Sequence, residues 1–116
     1  MTSKELNMLL LKTFPGIYDT YIDETQWQDG DDTGSHIVFE DVFVPNLLKL
    51  LQENDIIAIS HAFEFIEKLI DTHDDYATEV VFFSILESLF YRCNNHNLIL
   101  PYMGNKSKEF FLHLNK

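Results

Sequence analysis

A single cysteine among 116 residues, Cys93, rules out an intrachain disulfide and is the usual pattern of a reducing cytoplasm. It also excludes zinc centres built on clustered cysteines. Glycine occurs four times and proline three times, and no glycine-rich phosphate loop or nucleophile elbow can be found among them. Long apolar runs are missing too. No stretch approaches about 18 uninterrupted apolar residues. The opening MTSKELNMLLLKTF has no small-residue cleavage pattern, so neither a membrane segment nor an export signal is expected, and a cytoplasmic location is. The largest deficit is in positive charge. Eight Lys and Arg face 19 Asp and Glu, for a net charge of −11. Phosphate binding draws on clustered cations, so this balance excludes nucleic acid as a partner and favours a basic protein.

What is present suits one small core. Hydrophobic residues make up 46% of the chain, with ten Phe and five Tyr, and the length fits a single domain over residues 1–116. A chain this short buries proportionally little surface, which leaves scant room for a deep catalytic cleft.

Helical periodicity dominates. A first helix is expected over Ser3 to Thr13, with Thr2 or Ser3 as cap and Leu6, Leu9, Leu10 and Phe14 on one face, ended by Pro15 and Gly16. Ile17 to Trp27 suits a short amphipathic helix through Ile17, Tyr18, Tyr21 and Ile22. The run Asp29-Gly30-Asp31-Asp32-Thr33-Gly34 then predicts an exposed acidic loop at about 28–35. From His36 the pattern is helical again, with Ser35 as cap, and Pro45 predicts a kink or break between Val42 and Asn46. Asn54 and Asp55 end that helix and cap the next, whose stripe is Ile59, Ala62, Phe63, Ile66, Leu69 and Ile70. Tyr76 to Asn94 is apolar almost all round, from Val80 to Phe90, and is therefore the expected central helix. Glu79 and Glu87 would cap, pair or point to its one wet edge. A last short helix, Lys106 to Leu114, would bury Phe110, Phe111 and Leu114, and no pair of strands remains. The result is an all-α domain of about five helices. Its two hairpins, 36–73 and 76–114, are arranged either as HEAT-like units or as an irregular helical bundle.

The charges are unevenly placed. From residue 13 to 48 there is no Lys or Arg, while Asp19, Asp23, Glu24, Asp29, Asp31, Asp32, Glu40 and Asp41 are all acidic. A second patch is formed by Asp71, Asp74, Asp75 and Glu79, and the chain from 92 onward is mildly basic. Solubility needs a net charge of only about 2–8 in magnitude in a small domain. Concentrated acid of one sign costs stability through self-repulsion and steers cationic partners toward itself. Tyr18, Tyr21 and Trp27 interleave with the first block and are the residue types that anchor interfaces. The partner-binding set read from the sequence is therefore both acidic groups together with Trp27.

Other chemistry is poorly served. Asp29, Asp31, Gly34 and Glu40 fall at positions 1, 3, 6 and 12 of an EF-hand calcium loop, but Thr33 stands at position 5 and His36 where an apolar residue belongs. His61 and Glu64 form one i, i+3 pair, far short of the two Glu-x-x-His motifs and two further Glu of a di-iron bundle. No metal, no cofactor and no enzymatic activity is expected.

Several segments resemble a family of small bacterial helical proteins of uncharacterised function. They are Val38-Phe39-Glu40-Asp41-Val42-Phe43, Phe63-Glu64-Phe65-Ile66-Glu67, Asp74-Asp75 followed by Glu79-Val80-Val81, Ile85-Leu86-Glu87, and Tyr102-Met103-Gly104 with Lys106-Ser107. The likeness covers roughly 36–110 and omits the loop at 28–35. Members are similar to the immunity proteins of polymorphic and contact-dependent growth inhibition toxins. The resemblance implies a protein that neutralises a cognate toxin by binding it, and the acidity suits a basic, nuclease-type toxin domain. The alternatives are a helical adaptor without a toxin partner and, third, a calcium-binding module.

Overall fold

Thr2 opens the first helix by a reciprocal cap. Its hydroxyl accepts from the Glu5 N–H at 3.1 Å and the Glu5 carboxylate accepts from the Thr2 N–H at 2.9 Å. The computed structural model describes residues 1–114, so Lys116, one of the cations of the basic tail, lies outside the described residues. Helix α1 is Ser3–Thr13 and, after a turn of 3₁₀ helix at Pro15–Ile17, α2 is Tyr18–Thr25. Helix α3 runs without interruption over 35–53, α4 is Ile56–Asp71, α5 runs over 75–92, and α6 is Asn105–His113. The described residues contain no strand. Their radius of gyration, 13.4 Å, is that of one compact domain of this length. The expected count of about five helices falls slightly short.

Pro45 does not break α3. The helix passes from Ser35–Val38 through a π-helical segment, Phe39–Phe43, into Val44–Glu53, with Pro45 in the first turn of that last stretch. A proline ring clashes with the carbonyl four residues back in a regular helix. The wider π turn just upstream is one of the recognised ways of relieving such a conflict without ending the helix. A second π segment, Val80–Leu86, lies inside α5, and the two segments pack against each other in the core. Hairpin α3–α4 thus meets hairpin α5–α6 through both of its helices, α3 against α5 and α4 against α5 and α6. Asn54, in the left-handed conformation at φ 57°, ends α3, and Asp55 caps α4 by accepting from the Ala58 N–H at 3.2 Å.

The predicted stripe of α4 is buried throughout, joined by Phe65, and Val80, Val81, Ile85, Leu86 and Leu89 make α5 the central helix expected. Two faces differ from expectation. On α2 the buried side chains are Tyr21 and Thr25, whereas Tyr18 and Ile22 are exposed. On α5, Phe83 is 54% exposed despite its apolar neighbourhood.

The 28–35 segment is not a free loop. Gly30–Asp32 forms a 3₁₀ turn, and Thr33 and Ser35 are buried. Asn7 of α1, wholly buried, donates from its amide to the carbonyls of Thr33 at 2.8 Å and Asp31 at 3.2 Å. Its amide oxygen accepts from the Ser35 hydroxyl at 2.8 Å. Ser35 is therefore not the cap of α3 but its first residue, and its N–H is served by Tyr76 Oη of α5 at 3.1 Å and Ser3 Oγ of α1 at 3.3 Å. Replacing Asn7 by Leu leaves the carbonyls of Asp31 and Thr33 without their donor, while the Ser35 hydroxyl keeps only the Ser3 carbonyl, at 3.2 Å. A loss of roughly 3 kcal/mol is expected by urea denaturation. A loss below about 1 kcal/mol would show that the network is dispensable.

Candidate interaction surface

All eight carboxylates of the block from Asp19 to Asp41 are exposed, and among the described residues none of them is in an ion pair. Asp19, Asp23 and Glu24 lie on α2, Asp29, Asp31 and Asp32 in the turn after it, and Glu40 and Asp41 on the π segment of α3. Trp27, 82% exposed, stands between the first two groups. Asp31 has a second task. Its carboxylate accepts from the Tyr21 hydroxyl at 2.8 Å, and burial, reinforced by that bond, pushes the Tyr21 hydroxyl well above its ordinary pKa. Arg92 approaches the block, its guanidinium reaching the Glu40 carbonyl at 3.4 Å.

The second patch divides by function. Asp71, at the end of α4, pairs with Lys106 of α6 at 3.2 Å. Asp74 caps α5 through the Ala77 N–H at 2.9 Å and pairs with the Met1 amino group at 2.5 Å. Asp75 and Glu79 are exposed and carry no such bond among the described residues. Since Ser35 meets Tyr76, the end of the acidic turn and the first turn of α5 share one corner of the molecule. Glu79 instead lines a groove of about 680 Å³ that also takes in Asp75, Phe82 and Lys106.

The ligand geometry of an EF-hand does not form. The Thr33 hydroxyl donates to the Gly30 carbonyl at 2.6 Å and accepts from the Asp29 N–H at 3.2 Å, so it is turned inward on its own turn. Among the described residues no three His, Cys, Asp or Glu side chains gather as a metal ion requires. His61 lies 4.7 Å from the ring of Phe14, a contact unrelated to Glu64. One pairing was invisible in the sequence: His36 Nδ1 and Ser84 Oγ are 2.6 Å apart, brought together from α3 and α5 across 48 positions. Ser84 is 2% exposed and faces the core, so its hydroxyl is out of reach of a substrate. Asn7 was also missed, although Ser3, Asn7 and Leu10 share the inward face of α1 and that spacing was there to be read.

The fold and surface define an all-helical domain whose described helices include none long and apolar enough to cross a membrane. The chain belongs to the family described as a domain of unknown function, DUF7674, which matches residues 7–116. No curated protein and no solved structure matches it.

The Asp74 pair makes a prediction. The hydrogen bond from the Met1 amino group holds the Asp74 carboxyl below its ordinary pKa and raises that of the amine. A depressed carboxyl pKa contributes stability that is complete above the unfolded value and lost as pH falls through the folded one. The raised amine contributes stability below its unfolded value, lost as pH climbs through the folded one. Asp74→Asn should therefore lower the thermal midpoint near neutrality and flatten its decline below about pH 4. An acid limb as steep as that of the unaltered chain would remove Asp74 from the account.

Proposed function

We propose that this chain is a non-enzymatic binding protein that captures a cationic protein partner on its acidic surface. The carrying observation is the block from Asp19 to Asp41: eight exposed carboxylates without an ion pair among the described residues, adjoining an 82% exposed Trp27. Such a surface repels itself in the free protein and is relieved when cations approach. Within that class the role is immunity against a basic, nuclease-type toxin domain, which the protein neutralises by covering the active site or substrate groove. The acidity supports this role, as does the resemblance to immunity-type proteins. The lone cysteine suits a cytoplasmic site of action. The HEAT-like reading belongs here as well, since paired helical hairpins offer broad faces to partners.

The decisive experiment is purification from the native host, identification of the bound protein by mass spectrometry, and its expression with and without this chain. Relief of growth arrest by the chain supports immunity. A bound protein that is not toxic leaves the adaptor reading in its place. Association should also be steered by charge. Between about 0.05 and 0.5 M salt the association rate should fall roughly ten-fold or more, with a smaller change in dissociation. Asp29→Lys combined with Asp32→Lys should imitate the salt. Asp31 is left intact because Tyr21 depends on it. Association indifferent to salt and to both substitutions would refute capture by charge.

A further inference from the structure

The groove between α5 and α6 has a different character from the acidic block. Its floor is aromatic: Phe82 of α5 and Phe110 of α6 are stacked with centroids 4.4 Å apart and planes 8° from parallel. Phe83 stands edge-on to Phe110 at 6.0 Å and is 54% exposed, an aromatic ring that the fold leaves half in water. The 680 Å³ depression beside Glu79 continues into a second of about 460 Å³ beside Glu109, since Phe82 and Lys106 line both. The wall is firmly built. The Glu67 carboxylate of α4 accepts from the Ser107 N–H at 3.3 Å and so serves the first turn of α6. Gly104 makes room for it, because a Cβ there would come within 2.3 Å of that carboxylate. Lys106 is engaged by Asp71 from outside the groove, while the groove's own carboxylates, Asp75, Glu79 and Glu109, have no ion pair among the described residues.

An aromatic floor under an acidic rim fits one kind of occupant. Rings take apolar side chains and the planes of guanidinium groups, and carboxylates at the rim take the charge. We infer that the α5–α6 groove is a docking site for a cationic protein segment that alternates Arg or Lys with apolar residues, with Phe82, Phe83 and Phe110 receiving the apolar side chains and Asp75, Glu79 and Glu109 the cations. This rests on the cationic-partner reading and sharpens it. The block from Asp19 to Asp41 accelerates encounter, and the groove holds what arrives.

The test uses the intact protein, isotopically labelled, titrated with a synthetic peptide of alternating arginine and leucine and separately with its glutamate counterpart, following backbone amide resonances. Saturable shifts from the arginine peptide should concentrate on Thr78, Glu79, Phe83, Lys106 and Phe110. Phe83→Ala and Glu79→Lys should each weaken binding about five-fold or more. Both sites are exposed, so folding should survive, and circular dichroism checks it. Asp29→Lys with Asp32→Lys should slow association and leave the dissociation rate within about two-fold, so that any loss of affinity is no larger than the loss of association rate. Shifts confined to α2 and the 28–34 turn would overturn the groove and leave the cationic-partner reading standing. No shift from the arginine peptide at any site would overturn both. Equal response to the glutamate peptide would remove the role of the acidic rim. Groove shifts that grow with protein concentration alone would make this face a contact between copies of the chain and overturn the proposal.

Discussion

The buried amide of Asn7 is the constraint on which the arrangement turns. A fully buried side-chain amide is tolerable only when its donors and acceptor are satisfied, and here all its partners lie at the edge of one segment, the 30–35 turn. That requirement fixes the turn against α1, and the turn fixes the first residue of α3. Ser35 then passes the constraint on, because its N–H is shared between Tyr76 of α5 and Ser3 of α1. The first turns of three helices therefore meet at one point. Helix N-terminal ends are positive, and Glu5 in the first turn of α1, Asp75 in that of α5 and Asp74 as the α5 cap sit where the helix dipoles favour acid.

From this corner α3 and α5 pack against each other, touching again at His36 and Ser84 and then at Glu40 and Arg92. Their π segments face each other along this path. A π turn widens the helix and changes which residues look inward. This is a physical reason for Phe83 emerging half exposed from a sequence that reads as apolar on every side. The irregularity of α5 and the half-exposed Phe83 beside its groove are thus two views of one backbone feature.

Much of the fold was legible because its signals are local. The bounds of α1, the change of helix at Asn54 and Asp55, and the stripe of α4 all follow from caps and from the 3.6-residue period. What escaped was whatever depends on distant partners. Pro45 announces a conflict with a regular helix, yet only the opposing α5 decides that the conflict is absorbed by a π turn and not by a break. The run from Asp29 to Gly34 announces a turn, yet only Asn7, more than twenty positions earlier, makes it an anchored one. Of the acidic surface, the sequence correctly indicates that the carboxylates from Asp19 to Asp41 face water. It could not indicate that Asp31 holds Tyr21, or that Asp71 and Asp74 are tied to Lys106 and Met1.

That distinction separates two kinds of acidity in this chain. Glu5, Asp55 and Asp74 sit at the starts of helices and receive backbone N–H groups, Glu67 of α4 receives one from the first turn of α6, and Asp31, Glu53 and Asp71 have side-chain partners. These account for themselves through the fold. Asp19, Asp23, Glu24, Asp29, Asp32, Glu40, Asp41, Asp75 and Glu79 receive no comparable bond among the described residues. Apart from Asp19 and Asp75, which lie in the first turns of α2 and α5, folding gains nothing evident from them and bears their mutual repulsion. They fall in two places, the α2–turn–α3 face and the mouth of the α5–α6 groove, with the Ser35–Tyr76 corner between. A cationic partner large enough to cover that corner would meet both at once, so that long-range steering and short-range aromatic contact act on the same molecule.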